Sequence, residues 1–239
     1  MPLENRVFTG LIILLASFAL SLSEVSSQTK EEGPEKFEKE IAAFEQIDMR
    51  SRYVKDMIVF TGSSTIKNWH KELGSDFEGL PVLGRGFGGS KMKDLLHFMD
   101  RVVLKYQPRA VVVYEGDNDI NSGVKPDALL RQYQEFEQRL HKTLPETKIY
   151  FMTVKPSPKR WEKWPIMKQF NDDLKSWASA TKNVTVIDIT ATIMGADGQP
   201  GKDLFKEDML HMNRSGYQRW QQVIRPILMQ DLAKTAKAG

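Results

Sequence analysis

Five short, β-branched apolar runs recur along the chain, at Met57–Phe60, Pro81–Leu83, Ala110–Tyr114, Ile149–Val154 and Val184–Ile189. Stretches with helical spacing separate them: Met92, Leu95, Leu96, Met99 and Val103; then Leu129, Leu130, Tyr133, Phe136 and Leu140; then Ile166, Met167, Phe170, Leu174 and Trp177. Strands that are apolar throughout must be covered on both faces, so the alternation predicts a five-stranded parallel sheet in a three-layer α/β/α domain. Pro126 and Pro165 stand where first helical turns begin. A last helix is expected over Ser215–Leu232, with Pro226 kinking or interrupting it. Ahead of the sheet, Phe37, Ile41, Phe44 and Ile47 share one helical face. Residues 28–54 therefore read as an amphipathic helix packing on a domain of residues 55–235.

The chain starts differently. Arg6 precedes the apolar run Val7–Leu22, which ends in small polar residues, the pattern of a secretory signal peptide over residues 1–27. An uncleaved anchor helix is the alternative, although the run is shorter than the roughly 18 apolar residues a span requires. Export to a periplasm or the exterior, without stable membrane insertion after cleavage, is the expectation. Cysteine is absent, which removes disulfides, thiolate catalysis and Cys–zinc sites. Cleavage would remove Arg6, Glu4 and Glu24 and so move the formal net charge from +3 to +4. So mild a charge, with no basic run, argues against a nucleic-acid partner.

In a parallel sheet, ligands sit beyond the carboxyl ends of the strands, where strand order reverses. With order 2-1-3-4-5 that point lies between the ends of the first and third strands, at "TGSST" and "YEGDNDI". A serine after the glycine could be a nucleophile at a helix N-terminus or could simply cap that helix. "GRGFGGSKMKDLL" lets backbone approach a ligand closely, or is a flexible turn. In "YEGDNDI" an Asn amide could donate to a developing oxyanion, or belong to an ordinary polar turn. In "KEDMLHMNRSGY", Asp208 and His211 are three apart, so a carboxylate could hold the imidazole tautomer. His70, His97 and His141 all fall in helical stretches, which leaves His211 as the histidine of a loop. No HExxH spacing occurs, and neither a metal nor a cofactor is expected.

Read in order, these four stretches resemble the four blocks of the SGNH (GDSL-type) hydrolases. "FTGSSTI" is similar to F-x-G-D-S-x, with Ser63 in place of Asp; "RGFGGS" resembles the glycine block; "GDND" resembles G-x-N-D. "DMLHMNRSGY" resembles D-G-L-H-L-N-x-x-G-Y, with Met209 in place of Gly. The resemblance spans about Lys55 to Leu228 and implies a flavodoxin-like fold and a serine esterase. It further implies Ser64 as nucleophile, His211 as base, Asp208 as its orienting acid, and Ser64, Gly89 and Asn118 as oxyanion donors. Ser63 is expected to point along the helix cap. The expected partner is a small ester: a short-chain acyl ester, an acetylated carbohydrate or a lysophospholipid. A flavodoxin-like phosphate or flavin binder and a non-catalytic binding module are the alternatives. After the fourth strand, "KPSPKRWEKWP" offers Trp161 and Trp164 to stack on a sugar, and Lys155, Lys159 and Arg160 to meet an anionic group. The alternative packs the tryptophans on helix ends and leaves the charges solvated.

Overall fold

The computed structural model describes residues 33–51 and 56–236. The expected leader, residues 1–27, lies outside the described residues. Strands β1 (Ile58–Gly62), β2 (Val82–Gly86), β3 (Ala110–Tyr114), β4 (Lys148–Met152) and β5 (Val184–Ile187) form one sheet in the order β2-β1-β3-β4-β5. All neighbouring pairs are parallel. Parallel neighbours require crossover connections. Helices α1 (Glu38–Arg50), α2 (Ser64–Asp76), α3 (Met92–Val102), α4 (Asp117–Asn121), α5 (Pro126–Thr143), α6 (Trp164–Ser179) and α7 (Arg214–Ala236) lead into, link and follow the strands.

Alternation along the strands sorts the core into two layers. Ala110, Val112 and Tyr114 of β3 join the cluster shared with α2 and α7, whereas Val111 and Val113 join the one shared with α1, α3, α5 and α6. On the α2/α7 side, Trp69 lies against Tyr217 with ring centroids 5.0 Å apart, and Phe60 against Phe77 at 4.8 Å. Burying a large apolar side chain contributes about 1.5–3 kcal/mol, so these rings anchor both helices to β1.

Three expectations are corrected. α7 runs through Pro226 without interruption. Trp220, Ile224 and Leu228 are fully buried along one face and hold it on the sheet, which outweighs the roughly 3 kcal/mol cost of an interior proline. β2 continues through Gly84 and Gly86, read above as part of a turn. These glycines serve close packing: a Cβ on Gly84 would lie 2.4 Å from the His70 ring. Finally, Phe37, Ile41 and Phe44 are buried but Ile47 is 53% exposed. The stripe 37, 41, 44 continues at 48, so Asp48 faces inward. There it meets the Arg85 guanidinium, Lys105 Nζ at 2.6 Å and the Tyr106 hydroxyl at 2.6 Å. Burial opposes its charge, yet these partners hold the Asp48 carboxyl below its ordinary range.

His70 makes the fold sensitive to acid. Its Nε2 accepts the Gly86 N–H at 3.1 Å, which requires a neutral ring. Burial, then the Arg85 and Lys67 charges, push the imidazole down to about 4. The folded state thus binds fewer protons than the unfolded chain between about pH 6.5 and pH 4, and stability falls as pH drops through that window. At about 1.4 kcal/mol per pH unit the loss is on the order of 3 kcal/mol by pH 4. His70→Gln keeps an acceptor that does not titrate. Thermal melts at pH 7 and pH 4 are expected to show the variant gaining on wild type by that amount; an unchanged difference would refute the assignment.

Candidate active site

β1 ends at Gly62, whose φ is +133° and whose Cβ would fall 2.0 Å from the Tyr114 carbonyl oxygen. Only glycine tolerates both conditions. The chain therefore turns sharply from β1 into α2, leaving Ser63 buried at the bend and Ser64 at the first helical position. Ser63 donates its backbone N–H to Tyr114 O at 3.1 Å, but its hydroxyl makes no capping bond to the helix. It holds the N-cap position through its backbone, its carbonyl accepting the Lys67 N–H at 3.1 Å, without a side-chain cap.

Across 147 residues of sequence, Ser64 Oγ lies 2.9 Å from His211 Nε2. His211 Nδ1 lies 2.6 Å from Asp208 Oδ2. The other carboxylate oxygen, Oδ1, accepts the backbone N–H groups of Leu210 at 3.0 Å and His211 at 2.9 Å. A carboxylate facing Nδ1 keeps the proton there and turns the Nε2 lone pair toward the serine hydroxyl. Burial disfavours the Asp208 charge, but the imidazole and the two N–H donors outweigh it and hold the carboxyl well below the usual carboxylate range. Met209, between the two, has φ +55°, a left-handed conformation costing about 1–2 kcal/mol for a residue with a Cβ. That conformation explains why glycine suits this position. Here Lys159 N–H binds Met209 O at 3.0 Å, and the methionine side chain packs on the core beside α7.

Two more loops leave the sheet at the same level, because Gly62 pairs in register with Gly86 on one side and Tyr114 on the other. Gly89, at φ +82°, directs no backbone hydrogen bond to another described residue. Asn118 sits in the first turn of α4 and donates from Nδ2 to Ser90 O at 2.9 Å. Ser64 N–H, at the start of α2, has no helical acceptor. A hydroxyl, an imidazole and a carboxylate in line, beside N–H groups still free to donate, can perform acyl transfer.

Residues 54–219 match the model of the GDSL-like lipase/acylhydrolase family. The chain belongs to that family. It is a carboxylic ester hydrolase. Solved structures share its fold: a GDSL-like lipase from Bacteroides thetaiotaomicron (TM-score 0.68, 18% identity, covering 83% of this chain and 98% of that one); an acetylxylan esterase from Geobacillus stearothermophilus (0.58, 14%, 72% and 94%); and the acetyl xylan esterase AlAXEase (0.57, 21%, 69% and 94%). A search of curated proteins finds no match.

In this GDSL-like acylhydrolase two cations of the loop after β4, Lys155 and Arg160, turn inward, while Lys159 stays exposed. Lys155 is buried, its Nζ 2.8 Å from Asp117 Oδ2. Arg160 Nη1 donates to Asp117 Oδ1 at 2.6 Å and to Asn118 Oδ1 at 3.1 Å. Burial disfavours ionised Asp117, but Lys155 and Arg160 keep its carboxyl below the ordinary range. The Trp161 and Trp164 rings lie nearly parallel, 12° apart with centroids at 6.2 Å. Trp164, the first residue of α6, packs on the core, while Trp161 borders a cavity of about 570 Å³ with Pro158, Asp197, Gln199, Lys202 and Asp203.

Sequence reasoning missed the acids that brace these loops. Ser90 Oγ lies 2.5 Å from Glu115 Oε1 and 3.1 Å from the Phe87 carbonyl oxygen. Glu115 is fully buried, and burial, then the neighbouring Asp119, push its carboxyl well above the ordinary value, against the Ser90 hydroxyl that donates to it. Asp119 accepts the N–H groups of Met92 at 3.0 Å and Gly116 at 3.1 Å, tying the glycine loop to the Asn118 turn. The available signal was acidic residues placed directly after the wholly apolar run of β3. Among the described residues no cluster of three or more His, Asp or Glu is placed to hold a metal, and no helix is long and apolar enough to cross a membrane.

Proposed function

We propose that this acylhydrolase removes small acyl groups, acetyl above all, from carbohydrate esters by a serine mechanism. Ser64 Oγ attacks the ester carbonyl carbon while His211 Nε2 takes the hydroxyl proton. The tetrahedral oxyanion is held by Ser64 N–H, Gly89 N–H and the free N–H of the Asn118 amide. Collapse breaks the ester C–O bond, and His211 returns the proton to the departing sugar alkoxide. Water then enters, gives its proton to His211 and releases the acid, restoring Ser64. Asp208 stabilises the imidazolium in both halves. The observation that carries the mechanism is the Ser64–His211–Asp208 chain at 2.9 and 2.6 Å. A phosphate or flavin binder would leave that chain without a purpose.

The sugar preference rests on the cavity beside Trp161, where an indole stands with carboxylates, an amide and an ammonium, the groups that grip a polyhydroxylated ring. The fold's likeness to acetylxylan esterases supports it. A panel of acetylated oligosaccharides, lysophospholipids and aryl esters of increasing chain length tests the reading. The acetylated sugars are expected to show the highest kcat/KM. Trp161→Ala is expected to raise KM for the sugar ester about tenfold and leave an aryl acetate unaffected. Equal losses on both substrates, or a preference for long acyl chains, would overturn the sugar assignment. Export through cleavage of the amino-terminal leader belongs to the same proposal.

A further inference from the structure

We infer that Arg160 is a positioning residue for ester hydrolysis: its guanidinium locks the Asn118 amide in the orientation that presents an N–H to the oxyanion. The inference rests on Asn118 donating to that oxyanion, as proposed above.

An Asn side chain can present either its oxygen or its nitrogen in a given direction. Two unambiguous partners remove the choice here. Ser90 O only accepts, so the atom 2.9 Å from it must be Nδ2. Arg160 Nη1 only donates, so the atom 3.1 Å from it must be Oδ1. One amide hydrogen is spent on Ser90, and the remaining one has its direction set by the plane these contacts define. Arg160 is itself fixed by Asp117 at 2.6 Å, whose second oxygen takes Lys155 at 2.8 Å. Donors held rigidly before charge develops lower the barrier because nothing reorients during the reaction.

The backbone around Arg160 gives this a second anchor. Arg160 lies at a break between two helical turns, with φ −120° and ψ 25° inside the segment Pro158–Lys163. The preceding residue, Lys159, donates its N–H to Met209 O, within the turn that carries Asp208 and His211. One short segment thus grips the base-bearing turn by its backbone and the oxyanion donor by a side chain. An anion-binding role for Arg160 would require this guanidinium to leave two partners in a largely buried setting, where its side chain is 13% exposed.

The test is a double-mutant cycle on purified protein with p-nitrophenyl acetate: wild type, Arg160→Met, Asn118→Ala and the double variant, with kcat, KM and melting temperature measured for each. Arg160→Met keeps the aliphatic stem and leaves Asp117 paired with Lys155. It is expected to lower kcat about 10- to 100-fold, less than or equal to deletion of a whole oxyanion donor, and to leave KM within about twofold. In the Asn118→Ala background the same change is expected to cost nothing further, because its only route to the reaction is gone. A kcat loss that multiplies with that of Asn118→Ala, an unchanged kcat, or a raised KM at constant kcat would each overturn the inference. Near-wild-type turnover by Asn118→Ala alone would instead defeat the oxyanion assignment, and this inference with it. Should Arg160→Met fail to fold, Arg160→Gln enters the same cycle; its amide ends where the Arg160 Nε stands and falls short of both oxygens that Nη1 reaches.

Discussion

Ser64→Ala is expected to remove ester hydrolysis almost entirely, on the order of 10⁶ in kcat, while melting within a few degrees of wild type. The hydroxyl at that position contacts the His211 ring, and the side chain is only partly buried at the head of α2, so alanine leaves the fold little disturbed. Ser63→Ala, one residue earlier, is the matched control. Its hydroxyl makes no capping bond, although the residue is buried, and most activity should survive. Steady-state rates on melt-checked protein decide the matter. Reversed phenotypes would transfer the nucleophile to Ser63, and two active variants would end the serine mechanism.

His211→Ala is expected to be as damaging as Ser64→Ala, because it removes the group that accepts and returns the proton. Asp208→Asn should fall by about 10⁴ in kcat with little change in KM, since an amide facing Nδ1 favours the wrong tautomer and no longer stabilises the imidazolium. Asp208 stays ionised far into acid, because the imidazole and two backbone N–H groups hold its carboxyl well below the usual range. If the pair merely stabilised the turn before α7, both variants would lose melting temperature and retain turnover per folded molecule. That pattern would refute the mechanism.

The layered sheet was legible because its signal is local. A run apolar on both faces declares a covered strand, and the helical spacings between runs declare what covers it. The reading weakened wherever a residue's role depended on something distant. Pro226 reads as a helix breaker until Trp220, Ile224 and Leu228 are seen buried along the same helix. Gly84 and Gly86 read as loop until α2 is found lying against them. Ile47 fits a hydrophobic face on spacing alone, yet Asp48 takes the inward place because Arg85, Lys105 and Tyr106 wait there to satisfy its charge.

The chemistry divides along the same line. Residue types and their order, from Ser64 to the D-x-x-H pair, were enough to name the family, since its blocks are short contiguous motifs. Their mutual distances were not contained in those motifs. Ser64 and His211 are 147 residues apart, and only the packing of α7 on α2, with the Tyr217 hydroxyl donating to Thr65 O at 2.7 Å and its ring 5.0 Å from that of Trp69, brings their turns together. The fate of the charges was decided still more completely by the folded chain. Lys155 and Arg160 look like cations offered to a substrate in the sequence, and Asp117 like a residue of a polar turn. In the fold, burial makes an unpaired charge too costly, and Asp117 takes both cations as partners across about forty residues of chain while Asn118 is held beside them. Partner choice for a buried charge is a property of three-dimensional proximity and desolvation, and neither is written in local spacing.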